Sequence, residues 1–311
     1  MSKTQATELR PVRKISWIPN QKGAWMMVLV PYLAGVAGGG FRWQHILVGV
    51  FWLSGYSLFF AAENWLKSRR SAAYRLPMRL WFLVTAMLAA VTLWFCGALL
   101  PWALFFLPFV AVTAWQAIER KNRSLITRTS EVCAAGLMCA VAWDIGIREE
   151  LYLPALWGSG ETTTLLTSGN FAQAMIVTLL LTFYFWSTIP FVKSLVRERN
   201  SIEYLVFSLL VHILGCAVTI LCWRFGMVNA WVVIFWVFLF IRAVFLTFVS
   251  RVPLRKMNVP EKKRQSAETN TTEAAGRQRE SLLLEPKKLL MCVGITETFI
   301  SVIYACVLLA F

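Results

Sequence analysis

Nine long apolar runs succeed one another along the chain, at roughly 24–39, 43–62, 80–96, 99–117, 131–147, 170–192, 204–221, 229–250 and 289–311. A bilayer core about 30 Å thick takes about 20 apolar residues per helix, so most of these runs can span and two are short. The polar stretches between them are of two kinds. All but four of the thirty-one Lys and Arg residues fall in segments 1–22, 63–79, 118–130, 193–203 and 251–288, which are every second connection. The other connections carry only Arg42, Arg148 and Arg224, and Arg242 lies inside a run. Lys and Arg accumulate in cytoplasmic loops. The pattern predicts an all-α polytopic transmembrane helix bundle of about nine spans, N-terminus inside and C-terminus outside. Residues 1–23 are then a cytoplasmic segment, 24–250 hold spans one to eight, and 289–311 form the ninth. Segment 251–288 reads as a basic linker, polar enough to stay largely disordered.

Composition narrows the class further. Hydrophobic residues make up 58% and charged residues 15%, against about 25% charged in an average soluble domain. Many Trp residues, among them Trp25, Trp43, Trp65, Trp81, Trp102, Trp115, Trp143 and Trp223, stand beside predicted span ends, as in an interfacial aromatic belt. The net charge of +15 follows membrane topology instead of forming one patch, which argues against nucleic acid as a partner. Anionic lipids on the cytoplasmic side are the expected partners. Seven cysteines show no metal-ligand spacing and read as small packing residues. The basic leader and first run loosely resemble a signal peptide. The polar leader Met1–Lys22 is long for that purpose, and charge bias alone does not decide whether the first span is cleaved.

The first run is the least regular. It opens with Pro19-Asn20-Gln21-Lys22-Gly23-Ala24-Trp25, contains Pro31 and closes on Gly38-Gly39-Gly40, which predicts a kinked or broken helix. A tight turn near Gly97–Pro101 predicts an antiparallel hairpin of the third and fourth spans. The loop 148–169 contains no catalytic constellation.

Ionisable groups inside apolar runs are costly in lipid and carry the most information. His212, Arg242 and Glu297 each lie about eight residues from the cytoplasmic end of three successive runs, about 12 Å deep. This predicts an intramembrane polar layer with Arg242 paired to Glu297 and His212 nearby. Its two readings are a structural ion pair and a ligand or proton site. Asp144 is expected to neutralise Arg148 or Arg224, and His45 to sit at the interface. A second constellation comes from an echo. The second run exits as Glu63-Asn64-Trp65-Leu66-Lys67-Ser68-Arg69-Arg70, and the sixth as Lys193-Ser194-Leu195-Val196-Arg197. If these ends lie side by side, Asn20, Gln21, Lys22, Asn64, Lys67, Arg69, Lys193 and Arg197 line a basic mouth. Such a mouth would hold an anionic head group by charge-assisted hydrogen bonds, without metal.

No HExxH, GxSxG, Walker A, CxxC or aspartate-rich motif is present, and the two histidines, His45 and His212, argue against a dihaem arrangement. No catalytic residue, cofactor or metal site is therefore assigned.

The opening stretch Pro19–Trp25, followed by an apolar run with Pro31, resembles the signature of the YwiC-like family of bacterial membrane proteins. The resemblance continues at Glu119–Arg123, Ala140–Asp144, Val192–Arg199, Pro286-Lys287 and Gly294–Glu297. It departs at Lys22, where the family usually has histidine. It implies a multi-pass protein of the bacterial plasma membrane and no particular activity. The layout also resembles UbiA-type prenyltransferases. Their acidic diphosphate and Mg²⁺ motifs are missing: only Asn64 matches, and Lys67, Arg69, Arg70, Lys193 and Arg197 stand where carboxylates are needed.

Three functions fit these residues. The first is binding of an anionic lipid or isoprenoid-type ligand in a cytoplasm-facing cavity without metal. The second is transport of a small anion or lipid past the polar layer, and the third is membrane assembly without a ligand.

Overall fold

The computed structural model describes residues 17–19, 22–68, 72–119, 124–152, 165, 168–196, 198, 201–251 and 286–310. Their regular structure is helical. The helices are α1 (Lys22–Gly39), α2 (Trp43–Lys67), α3 (Arg75–Cys96), α4 (Trp102–Ile118), α5 (Leu125–Ile147), α6 (Phe171–Val196), α7 (Ile202–Arg224), α8 (Ala230–Arg251) and α9 (Pro286–Leu309). Six of them, α2, α3, α5, α6, α7 and α8, are long and apolar enough to cross a bilayer, whereas α1, α4 and the apolar stretch of α9 are shorter. The linker segment 252–285 lies outside the described residues.

Helix starts follow the sequence chemistry. Ser124 Oγ accepts from the Thr127 amide at 3.1 Å and Ser201 Oγ from the Tyr204 amide at 3.3 Å, each answering an amide that the first helical turn leaves open. Glu203 in the first turn and Arg224 in the last turn of α7 complement its dipole. α1 closes on Gly40, whose φ of +90° is a left-handed value that glycine adopts without strain. α1 is not broken as expected. It runs as one helix through Pro31, and its glycines serve contact instead.

That contact organises the bundle. α1 packs most extensively on α5, and also on α9, α6 and α2. A Cβ at Gly35 would collide with the Cys139 carbonyl oxygen and the Ala142 methyl, one at Gly38 with the Trp143 ring, and one at Gly39 or Gly146 with the backbone opposite. Lipid tails supply no hydrophobic driving force between helices, so small residues that let two backbones touch are what hold such a pair. Cys139 and Ala142, fully buried, complete the seam from the α5 side.

The other helices flank this axis. On one side α2 packs against α3, while α4 packs mainly on α5. The connection at Gly97–Leu99 is tight as expected, but α3 and α4 do not pair along their length, because each leans on a different helix. On the other side α6 joins α5 to α7, α7 joins α6 to α8, and α9 rests on α1 and α6.

Two glycine substitutions separate close packing from helix propensity. Gly35→Ala should cost about 1–3 kcal/mol, because the atoms it meets are backbone and cannot yield. Gly55→Ala, with nothing within 4 Å of the added methyl, should be neutral or stabilise by up to about 1 kcal/mol. Thermal unfolding of both variants in detergent, followed by tryptophan fluorescence, measures the contrast.

Candidate functional site

Two polar clusters interrupt the apolar interior. The first gathers at the C-terminal end of α5 around Asp144, which is 1% exposed. Asp144 Oδ2 accepts from Trp102 Nε1 at 2.8 Å and Arg148 Nη2 at 2.7 Å, and Oδ1 accepts from the Leu165 amide at 2.7 Å. Of its two expected partners Asp144 therefore takes Arg148. Arg42 donates to the Arg148 carbonyl. His45, in the first turn of α2, is buried within the protein. Its Nδ1 accepts from the Arg42 amide at 2.9 Å, which leaves Nε2 as the donor to the Ala142 carbonyl at 2.9 Å. The imidazole thus starts α2 and ties it to α5. Every member of this cluster fastens one helix or loop to another, so we read it as structural.

The second cluster lies halfway along α6, α7, α8 and α9. Arg242 Nη2 pairs with Glu297 Oε1. Glu297 Oε2 accepts from Tyr184 Oη at 2.9 Å. The Arg242 guanidinium also lies over the Phe191 ring, 4.7 Å from its centroid, and His212 stands 5.8 Å from the same ring. Phe191 thus touches both groups, and His212 lies within electrostatic reach of Arg242 and Glu297. His212 Nδ1 donates to the Ser208 carbonyl at 2.8 Å. Counting at 1.5 Å per residue, Arg242 is about 13 Å from Arg251 and about 18 Å from Ala230 along α8.

Apolar layers close the cluster on both sides. Towards the α9 C-terminus, Phe235 stacks on Tyr304 at 4.7 Å, Tyr184 lies 5.1 Å from Tyr304, and Trp236 Nε1 donates to Tyr304 Oη at 2.8 Å. Towards the α9 N-terminus, Phe191, Leu195, Ala243 and Val293 form a compact apolar group. Inside the layer, Arg242 Nε, Arg242 Nη1 and Ser208 Oγ are buried without a partner.

Most of the residues expected to line a basic mouth are not among those described. Asn20, Gln21, Arg69 and Arg197, with the side chains of Lys22 and Lys67, lie outside the described residues. Asn64 is half-buried at the end of α2, and Lys193 turns towards α7, its Nζ 5.8 Å from the Tyr204 ring centroid. The start of α5 reaches both helices. Its Thr129 accepts from Trp186 of α6 at 2.9 Å, and its Arg128 and Glu131 lie within electrostatic reach of Tyr56 on α2, beside Glu63. Carboxylates thus enter where only bases were expected. The opening motif has a structural role here: Trp25 Nε1 donates to the Pro19 carbonyl at 3.0 Å, and its ring meets Tyr56 edge-on at 5.4 Å. Among the described residues, no group of three or more His, Cys, Asp or Glu side chains could hold a metal ion.

Sequence reasoning missed Tyr184, Phe191 and Ser208. Tyr184 carried a usable signal, a phenol at mid-run that needs a partner when buried. Phe191 and Ser208 carried none, since aromatic and serine residues are common throughout the runs.

These apolar helices, with ionisable groups sequestered at mid-length, define a multi-pass α-helical membrane protein. The resemblance read from the opening motif holds: the family described as YwiC-like protein matches residues 18–143. That stretch contains Glu119–Arg123 and α5 as far as Trp143, while the later segments of resemblance lie beyond it. A protein of Haemophilus influenzae titled "Uncharacterized protein" is 26% identical over 216 residues, covering 69% of this chain and 82% of that protein. The Bacillus subtilis "Uncharacterized protein YwiC" is 25% identical over 200 residues, covering 63% of this chain and 74% of that protein. No solved structure matches significantly.

The energetics of the ion pair can be measured directly. Arg242→Leu or Glu297→Leu alone should cost about 3–5 kcal/mol, because each leaves its partner's charge buried and unpaired. The double variant should recover a large part of that loss, giving a coupling well outside additivity in a thermal-unfolding double-mutant cycle. Additive losses would mean that the two side chains do not meet.

Proposed function

We propose that the protein binds a small organic anion at Arg242, midway through the bundle, in the manner of a membrane carrier. In this reading the nine helices are nine crossings with the N-terminus inside. The bundle sits in a bacterial plasma membrane, and the basic ends Lys22, Lys67, Arg69, Lys193 and Arg197 attract anions and anionic lipids at the cytoplasmic face.

The observation that carries the reading is the unanswered hydrogen-bonding capacity of the layer. Glu297 engages only Nη2 of Arg242, while Nε and Nη1 stay buried with no acceptor, as does Ser208 Oγ. A pair kept only to join α8 to α9 would gain nothing from those open donors, since each unpaired buried donor costs about 1–3 kcal/mol. A ligand oxygen supplies what they lack. The carboxylate already on Arg242 indicates the kind of group that fits, and Phe191 and Tyr184 offer rings to an apolar body.

Depth favours a small anion over a lipid head group. A phospholipid head group resides at the interface, about 15 Å from the centre of a 30 Å core, and would have to be drawn inward by that distance.

Benzoate tests the proposal, because it joins a planar carboxylate to an aromatic ring. Equilibrium dialysis of labelled benzoate against the purified protein should show one saturable site. Arg242→Gln should weaken it at least about tenfold, the scale expected from losing charge-assisted hydrogen bonds. Arg128→Gln, outside the layer, should leave binding intact. Binding that does not saturate, or that ignores Arg242→Gln, is partition into the micelle and would leave the ion pair a purely structural joint.

A further inference from the structure

The charge balance of the layer says what must accompany the anion. Arg242 and Glu297 together are neutral. The titratable groups that face them are few. α6 contributes Tyr184, which donates to Glu297, and α7 contributes His212, whose Nδ1 is held by the Ser208 carbonyl. α8 and α9 contribute the pair itself. α1, packed against α9, has Tyr32 as its one titratable side chain described, and that hydroxyl donates to the His45 carbonyl. A monoanion that takes the open Nε and Nη1 donors of Arg242 gives the layer one net negative charge. Apolar groups flank the layer on both sides, and an uncompensated charge at that depth is strongly disfavoured.

We propose that the anion binds together with one proton, and that Glu297 is the group that takes it. The inference rests on the anion-binding reading above. The step balances: the anion binds the open guanidinium donors, and the Glu297 carboxyl gains an O–H bond from the accompanying proton. Net charge in the layer is zero before and after. Glu297 is favoured over His212 because it contacts Arg242 directly and would otherwise share that counter-ion with the incoming anion. Tyr184 Oη stays beside Glu297 through the step, since a phenol can both donate to a carboxylate and accept from a carboxylic acid. A carrier with this site moves its anion as an electroneutral pair with a proton.

Isothermal titration of benzoate into the purified protein, in two buffers of different ionisation enthalpy, counts protons taken up per benzoate bound. Wild type should take up about one proton and lose affinity about tenfold per pH unit above neutrality, the slope of one linked proton. Glu297→Gln should bind benzoate with no proton and no such slope, while Glu131→Gln, outside the layer, should keep the wild-type stoichiometry. Saturable benzoate binding without proton uptake in wild type overturns the proton inference and leaves the anion site standing. Absence of saturable binding overturns both. Proton uptake that survives in Glu297→Gln and vanishes in His212→Gln moves the acceptor to His212 and overturns the role of Glu297.

Discussion

Backbone-to-backbone contact between α1 and α5 is the constraint on which the rest of the bundle depends. Gly35, Gly38 and Gly39 meet Cys139, Ala142, Trp143 and Gly146 with no room for a side chain between them. In lipid this closeness is itself the attraction, because dispersion and weak Cα–H contacts act only at short range. It also leaves the remaining faces of both helices free for others. α1 offers its outer surface to α2, α6 and α9, and α5 offers its own to α4 and α6. The Asp144 cluster secures one end of the axis, because a single carboxylate there collects Trp102 from α4, Arg148 from its own helix and the Leu165 amide from the loop beyond.

The helices farthest from that axis are held differently. α8 reaches the bundle mainly through α7, whereas α9 reaches it through α1 and α6, so the α8–α9 joint is narrow. It is closed by the Phe235–Tyr304 stack, the Trp236–Tyr304 hydrogen bond and the Arg242–Glu297 pair. The first two already fit α8 against α9 without a charge. An ion pair beside a good aromatic joint is therefore not demanded by packing, and apolar residues of similar volume often serve as well or better. This is the argument for looking past stability to explain Arg242.

Much of this arrangement is legible in the sequence, and the exceptions have physical causes. The apolar runs mark the helices because length and hydropathy are imposed locally by the bilayer. Arg242 and Glu297 can be matched by depth for the same reason, and Asp144 with Arg148 by the four-residue helical spacing. Pro31 does not interrupt α1, and the glycine run that closes it also serves close packing on α5, which propensity alone does not reveal. The partner of His45, the Ala142 carbonyl, could not be read from its neighbours, because it is ninety-seven residues away. The echo between the exits of α2 and α6 is real as sequence, and most of the residues it would bring together lie outside the described ones.

The polar layer thus combines features that pull in opposite directions. Glu297, held by the Tyr184 hydroxyl, stabilises the guanidinium, and the apolar groups above and below lower the local dielectric and strengthen that attraction. The same low dielectric makes Nε, Nη1 and Ser208 Oγ expensive to leave unpaired. A bundle selected for stability alone would relieve that cost by supplying an acceptor or removing the charge. This one keeps both the charge and the open donors, with a carboxylate and a phenol beside them, and it is these donors that the proposed anion would fill.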